Sequence, residues 1–531
     1  MYRVATLVLI LLLPVLGWAA DAAPLLTGLA ADSRPDRLSA IQAIARSADP
    51  RAGVFLEDYR QGSAYHLADG RIVLVPEIKA GTGQPLDPLS RTPIGAPLAE
   101  KELIALEVSG PERKAAGAAI TLLRMTDPAA DVRLAAVTKA GDTGGAANRA
   151  ALAEVIAIEK DPRIQRAATE GLAIIDLSEG DEAGKPAAAA KLGELTSLRG
   201  RDKLIEAAKG TTPAAVAATA ALKQVDSHQT TVRAVQTVFS GVSAGSILVL
   251  MALGLSITFG LMGVINMAHG EMLMLGAYAT LVTQWGFERF LPPGLHPYYF
   301  VFGIITGFIA AAIAGWLLEL LVIRHLYGRP LETLLATWGI SFLLIQAIRV
   351  SFGDNQAVTA PPWLVGGWEP LPDLVLPWNR LFIIVLTGLA VTGVVVLFRC
   401  TRLGLLLRAT VQSRRTAASL GVNTRRIDGI TFAFGSGLAG AAGCAITLIG
   451  GLKPDMGQEY IIDSFLVVAT GGVGNLAGVC CAGFGLGLLN KVLEPMTQAV
   501  FAKVLVLIAV ILFLQWRSQG LFPPKGRLAD V

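Results

Sequence analysis

The sequence predicts an all-α polytopic membrane protein with an exported, α-rich N-terminal domain that contains a small β-hairpin. Three observations support this fold class. From about Thr237 onward long apolar runs dominate, whereas residues 21–235 are rich in Ala, Arg, Asp and Glu. Over the whole chain 53% of residues are hydrophobic and 16% charged, below the roughly 25% charged of ordinary soluble domains. In the apolar half the basic residues lie beside the apolar runs, where topology accounts for them, and a net charge of +4 is too small to point to nucleic acid.

The chain opens with MYRVATLVLILLLPVLGWAADAAP. Arg3 supplies a positive first region, Val4 to Leu16 an apolar one, and Ala19, Ala20 and Ala22 small-residue cleavage options. Residues 1–22 therefore read as a secretory signal peptide, with an uncleaved first helix as the alternative. Both readings export the domain that begins at residue 23. All four cysteines (Cys400, Cys444, Cys480 and Cys481) lie in the apolar half, so the exported domain has no disulfide.

Residues 23–230 form that domain. Asp-Pro recurs at Asp49-Pro50, Asp127-Pro128 and Asp161-Pro162, followed by Ala-rich amphipathic stretches such as DPRIQRAATEGLAII. An aspartate capping a helix with proline at its first position explains the pair, and the repetition resembles HEAT-type helical repeats. The alternating stretch Ala64 to Ile78 around Asp69-Gly70 predicts a hairpin with a type I′ turn. His66 within it has no second metal-ligand partner nearby and reads as a surface residue. Residues 80–97, rich in Gly, Pro and Thr, read as a loop, and residues 179–190 as a flexible connection.

The membrane domain covers 236–518. A run of about 20 apolar residues crosses the hydrocarbon, which places nine spans near 238–262, 265–285, 299–323, 332–350, 381–398, 428–450, 460–474, 476–493 and 499–516. The pairs 238–285 and 460–493 hold glycines and polar residues, so either could contain a broken or re-entrant helix and the count could be eight. The 324–331 loop carries Arg324 and Arg329 and the tail carries Arg517, Lys525 and Arg527, whereas the 351–379 loop has three acids and no Lys or Arg. By the positive-inside rule the basic loops and the tail, 519–531, are cytoplasmic and the N-terminal domain periplasmic, in a bacterial inner membrane.

Between the fifth and sixth spans lies the segment 399–426, with seven arginines (Arg399, Arg402, Arg408, Arg414, Arg415, Arg425 and Arg426) before the first acid, Asp428. Charge bias alone would make it a positive cytoplasmic loop. Its pattern adds more: Arg408-Ala409, then a small and apolar stripe of Ala417, Ala418 and Leu420, then Gly421 as a helix stop. That resembles the segment with which permeases of ABC importers dock on their ATPase. Gly404, Arg408, Ala409, Ala417, Ala418 and Gly421 are the candidate coupling residues.

Three polar series interrupt the spans. In GLMGVINMAHGEMLMLGAY, Asn266, His269 and Glu271 either line a pathway, as ionisable groups at membrane depth do, or occupy a turn at the membrane edge. In LETLLATWGISFLLIQ, Thr337 and Ser341 are four apart and share a helix face. In DSFLVVATGGVGNLAG, Asp463, Thr470 and Asn475 surround glycines that fit either a broken helix lining a cavity or a close-packed helix crossing. These eight residues are the candidate translocation pathway. No G-x-x-x-x-G-K-[ST] phosphate loop occurs, so ATP chemistry of that kind belongs elsewhere. No metal-ligand spacing and no cofactor motif appears. Ser256 and Ser341 lack the histidine partner a membrane hydrolase would need.

The run ALGLSITFGLMGVINMAHGEMLMLGAY, the LATWGIS segment, the Thr401–Asn423 loop and GGVGNLAG together resemble the LivH-type permeases of branched-chain amino acid importers. Within that group the exported N-terminal extension, SFGDNQAV…PPWLVGGWE and QWRSQGLF…KGR are most similar to the urea-permease (UrtB-type) branch. The resemblance implies an inner-membrane subunit, not itself an enzyme, surrounded by membrane lipid. It would pair with a second homologous permease subunit, two cytoplasmic ABC ATPases and a periplasmic urea-binding protein. A branched-chain amino acid or short amide importer of the same architecture remains the alternative, with a non-transporting receptor behind it.

Overall fold

The computed structural model describes residues 22–522, apart from 48 and 80. The signal-peptide segment lies outside these residues, apart from Ala22, as do Lys525 and Arg527 of the tail. The chain divides into two units, Met1–Thr230 and Thr231–Val531.

The first unit begins with α1 (Ala23–Leu26), α2 (Arg34–Arg46) and α3 (Pro50–Gln61). It continues with α4 (Gly110–Arg124), α5 (Ala130–Thr143), α6 (Ala146–Ile158), α7 (Pro162–Glu179), α8 (Lys185–Glu194) and α9 (Arg201–Ala207). Two of the three Asp-Pro pairs do what the sequence predicts. Asp49 and Asp161 accept the backbone N–H of Arg51 and Arg163 at 3.0 and 2.9 Å, with proline following at the first helical position. Asp127 instead accepts from Ala129 N–H at 2.8 Å in a turn before α5, whose cap is Ala129. The expected flexible connection over 179–190 shrinks to residues 180–184, because α7 runs to Glu179 and α8 starts at Lys185.

The hairpin is there, with a different turn. Strands β1 (Ala64–His66) and β2 (Ile72–Leu74) pair antiparallel with His66 opposite Ile72. Gly70 N–H donates to Leu67 O, Leu67 N–H donates to Arg71 O, and Gly70 alone in the turn has positive φ, +82°. A type I′ turn needs positive φ at both central residues, and Asp69 lacks it; this is a three-residue loop closed by a left-handed glycine. The hairpin also gains a third strand, β6 (Ile104–Ala105). The segment read as a loop supplies β4 (Thr82–Gly83), which pairs with β3 (Ile78–Lys79) and β5 (Leu98–Ala99).

The core beneath α2, α3 and α4 is built from large side chains, among them Ile41, Ile44, Phe55, Leu56, Tyr59, Ile120 and Leu123. An ion pair is buried with it. Arg37, 5% exposed, pairs with the fully buried Glu112 at 3.2 Å and with Glu107 at 2.9 Å, and also donates to the carbonyls of Ala31 and Asp32. Burial raises the Tyr59 phenol to about 12, and its hydroxyl donates to Glu107 O at 3.0 Å.

Helix α10 (Pro213–Met262) runs from the first unit into the second. The second unit then contains α11 (His269–Phe290), α12 (Tyr299–Leu321), α13 (Pro330–Phe352), a two-stranded sheet of β7 (Gly367–Leu371) and β8 (Leu374–Pro377), and α14 (Trp378–Cys400). After α14 come the short α15 (Arg402–Gln412) and α16 (Arg414–Ser419), then α17 (Thr424–Ile446), α18 (Met456–Gly471), α19 (Leu476–Thr497) and α20 (Ala499–Trp516). Helices occupy all nine expected positions, and seven are long and apolar enough to cross a membrane. Helices α11 and α18 fall short. Helix α18 has only 16 residues, and α11 carries His269, Glu271 and Gln284 on buried positions.

Glycine sets the packing of this unit. Helices α11, α12 and α17 form its centre. A Cβ at Gly276 would overlap the Gly440 backbone, and one at Gly440 would overlap the Ala311 side chain and the Gly307 carbonyl. One at Gly443 would enter the Leu273 carbonyl. Such close backbone approach is how helices associate where lipid removes the hydrophobic driving force between them.

Candidate functional site

Helix α10 ends because Gly263, at φ +66°, takes the left-handed conformation and donates its N–H to Phe259 O at 2.9 Å. Six residues later α11 begins. Between them Asn266 Oδ1 accepts Ala268 N–H at 3.0 Å, a side-chain turn that holds the break open. This is no exposed loop: Asn266 and His269 are fully buried and Glu271 is 1% exposed.

Three helices close on the first turn of α11, each through one residue. The His269 ring places Nε2 3.2 Å from the Met251 carbonyl of α10. A carbonyl only accepts, so in the neutral ring Nε2 carries the proton and Nδ1 is an acceptor. Gly270 meets Gly457 of α18 backbone to backbone. Glu271 Oε1 accepts the Ser341 hydroxyl of α13 at 2.7 Å. Helix α13 also presents Thr337 Oγ1, which accepts Met267 N–H from the break at 3.1 Å. The buried positions of α13 are Thr333, Thr337, Ser341 and Ile345, so this helix turns a hydroxyl stripe inward while Leu335, Trp338, Phe342 and Leu343 face out.

Five of the eight pathway candidates (Asn266, His269, Glu271, Thr337 and Ser341) thus meet around the α10–α11 break. Asn266, His269 and Glu271 occupy a buried discontinuity between α10 and α11. Three polar atoms there have no hydrogen-bond partner among the described residues: Asn266 Nδ2, His269 Nδ1 and Glu271 Oε2. They comprise one donor and two acceptors, and no arginine or lysine among the described residues pairs with them.

The other three candidates lie on a second discontinuity. Asp463 is half-buried on α18, Thr470 is buried near its end, and Asn475 caps α19 by accepting Gly478 N–H at 3.1 Å. The glycine run makes a turn and a close contact. Gly472 and Gly474 take positive φ of +100° and +77° in the turn, while Gly471 packs against the Gly478 backbone. Residues 521 and 522 then donate N–H to the carbonyls of Thr470 and Gly471.

The basic segment is two helices rather than one. Ser413, at φ −157°, breaks it, and its hydroxyl accepts Thr416 N–H to start α16. Gly421, at φ +86°, ends α16, as the sequence predicts. Gly404 sits against the carbonyls of Leu397 and Phe398, permitting the sharp α14–α15 corner, and Arg408 Nε donates to Gly404 O at 3.3 Å. The small stripe does not face one way. Ala417 is 3% exposed and packs inside the chain, whereas Ala409 and Ala418 are exposed and Leu420 is 80% exposed.

One connection escaped sequence reading. Arg414 of α16 pairs with the buried Asp428 of α17 and lies 4.7 Å over the Tyr327 ring in the α12–α13 connection. Nearby, the buried Glu319 pairs with Arg324 at 3.0 Å. Asp428 stood out in the sequence only as the first acid after the arginines, and no spacing rule links it to Arg414 or Tyr327.

Residues 237–514 match the family described as branched-chain amino acid transport system / permease component. This chain belongs to that permease family. The permease is 27% identical over 295 residues to the Salmonella typhimurium high-affinity branched-chain amino acid transport system permease protein LivH, covering 54% of this chain and 94% of the relative. Pseudomonas aeruginosa BraD is 27% identical over 297 residues with the same coverage. Escherichia coli LivM is 26% identical over 304 residues, covering 52% of this chain and 68% of the relative. The permease therefore resembles both LivH and LivM. No solved structure matches. The residues before 237 lie outside the family match.

Proposed function

We propose that this permease is one of two homologous membrane subunits of an ATP-driven importer, and that its cargo is urea. The carrying observation is the chemistry of the α10–α11 break. It offers a carboxamide, hydroxyls, an imidazole and one carboxylate, with no cation among the described residues to receive a substrate carboxylate. Urea is neutral and planar and both donates and accepts hydrogen bonds around its edge, so it suits such a lining. A second reading, import of branched-chain amino acids, is favoured by the names of the relatives. In both, two cytoplasmic ATPases dock on α15–α16, a periplasmic protein delivers the cargo, and the N-terminal unit lies on the periplasmic side.

Uptake of labelled urea and labelled leucine in a strain lacking the gene decides between the two cargoes. Loss of urea uptake alone supports the first reading; loss of leucine uptake alone replaces it with the second. Ala418→Glu tests docking, because it places a charge on the exposed face of α16. The ATPases should cease to co-purify while permease abundance stays normal. Ala417→Glu is the contrasting variant and should lower abundance, since that methyl is buried within the chain.

A further inference from the structure

Outside the α10–α11 break, a cavity of about 760 Å³ opens where three helices reach the same edge of the bundle. Ser256 lies six residues before the end of α10, Arg399 one residue before the end of α14, and Leu476 at the first position of α19. The walls are apolar, formed by Val391, Val395 and Phe398 of α14 and by Leu476. At the rim stand Arg399 and, from α15, Arg408. Both arginines are exposed, and neither forms an ion pair among the described residues. Inside, Ser256 is 1% exposed and its hydroxyl has no hydrogen-bond partner among the described residues. The N-terminus of α19, the positive end of its dipole, opens on the same space.

We propose that this cavity binds one anionic phospholipid, with its phosphate between Arg399 and Arg408 and an acyl chain along Val391, Val395 and Phe398. The occupant is identified by the combination. A soluble anion would use the arginines and leave the apolar wall wet. A zwitterionic lipid would cover the wall and leave two cations unmatched. An anionic lipid satisfies both, and the end of α14, where the basic segment begins, sets its headgroup at the bilayer edge, where basic residues recognise such lipids. The Ser256 hydroxyl lies deeper and gives an ester oxygen a donor. The site sits beside the α14–α15 corner, so its occupancy would steady the segment proposed to meet the ATPase. The binding itself depends on neither the transported cargo nor the docking.

The full-length permease, purified in mild detergent, is titrated with phosphatidylglycerol or phosphatidylcholine and read by native mass spectrometry. The wild type should retain one phosphatidylglycerol with a preference of roughly ten- to thirtyfold over phosphatidylcholine, the scale two basic residues supply at a membrane surface. Arg399→Gln with Arg408→Gln should abolish the preference, and Arg415→Gln, exposed and outside the cavity, should keep it. Only monodisperse variants are compared. A charge-matched substitution, Arg399→Lys with Arg408→Lys, should retain part of the preference and guards against a folding artefact. Equal retention of the two lipids by the wild type would overturn the proposal, as would an undiminished preference in the double Gln variant. Displacement by millimolar inorganic phosphate would make it a free-anion site, and efficient cross-linking from Cys481 to another polypeptide in membranes would make it a subunit interface; either result overturns the lipid assignment.

Discussion

In the first unit, α2, α3 and α4 meet through Ile41, Phe55, Tyr59 and Ile120, with the Arg37–Glu112 pair buried among them. In the second, α11, α12 and α17 meet through Gly276, Gly307 and Gly440, so closely that a single methyl would strike a backbone atom. Water explains the first arrangement, because large side chains removed from it supply the driving force. Lipid is as apolar as leucine, so in the second arrangement affinity has to come from close van der Waals contact. The units share one chain but answer to different solvents. Accordingly, α13 puts threonines and a serine inside and tryptophan and phenylalanine outside, the reverse of a helix in the first unit.

The largest expected effect tests the glycine side of this comparison. Gly440→Leu should exceed the roughly 1–3 kcal/mol of ordinary overpacking, because the obstruction is backbone, and should abolish monodisperse permease in detergent. Gly388→Leu on α14, where an added Cβ meets nothing, should leave the yield unchanged. Similar yields for both variants would break the contrast.

The ion pair tests the other side. Arg37→Ala should lower the stability of the first unit by up to about 3–5 kcal/mol, because it leaves the buried Glu112 carboxylate with only the Ser109 hydroxyl and the distant Arg34, at 3.9 Å. The apolar double replacement Arg37→Met with Glu112→Leu should recover most of it. Hydrogen exchange across α2 and α4 in the full-length protein measures this, and the second unit should show no change.

A smaller effect is expected at the hydroxyl stripe. Ser341→Ala removes the donor to Glu271 Oε1 and leaves a buried carboxylate oxygen unsatisfied, at a cost of roughly 1–3 kcal/mol. Uptake should fall several-fold with normal abundance, and Ser341→Thr should restore it. Equal loss in both variants would point to packing at this position rather than to the hydroxyl.

The smallest effect is in pH. The Arg133 side chain hydrogen-bonds Glu159, assisted by the N–H groups of Asp161 and Lys160, and holds its carboxyl near 2, below its ordinary 4.5. A depressed carboxyl contributes stability above its unfolded value and loses it as the pH falls through the folded one. Protection of α6 and α7 should therefore be flat from neutral pH to about 4.5 and decline towards about 2. Glu159→Gln should remove that decline.

Local rules were readable wherever the cause lay within a few residues. Asp49 and Asp161 cap helices because proline and the following N–H groups are adjacent in sequence. Asp127 also precedes a proline but has alanine where the other two have arginine, and its helix begins two residues later than the pair predicts. Gly421 ends α16, and Thr337 and Ser341 share the face their spacing assigns. Burial was not readable: whether Asn266 to Glu271 would stand exposed in a turn or be enclosed by other helices was open, because periodicity does not report what lies opposite. Nor was orientation within the basic segment. The break at Ser413 resets the helical phase, so Ala417 turns inward and its neighbour Ala418 outward.

By itself, then, the sequence determined that one half would be membrane helices and the other α-rich, where some helices would start and stop, and which polar residues would stand in apolar surroundings. These features come from composition, spacing and capping, which act over a turn or two of chain. Only the tertiary structure decided that Glu271 meets Ser341, that Gly276 meets Gly440 and that Arg414 meets Asp428 and Tyr327. Each of these contacts depends on how helices cross, and crossing depends on the shape of both surfaces at once, which no single stretch of sequence carries.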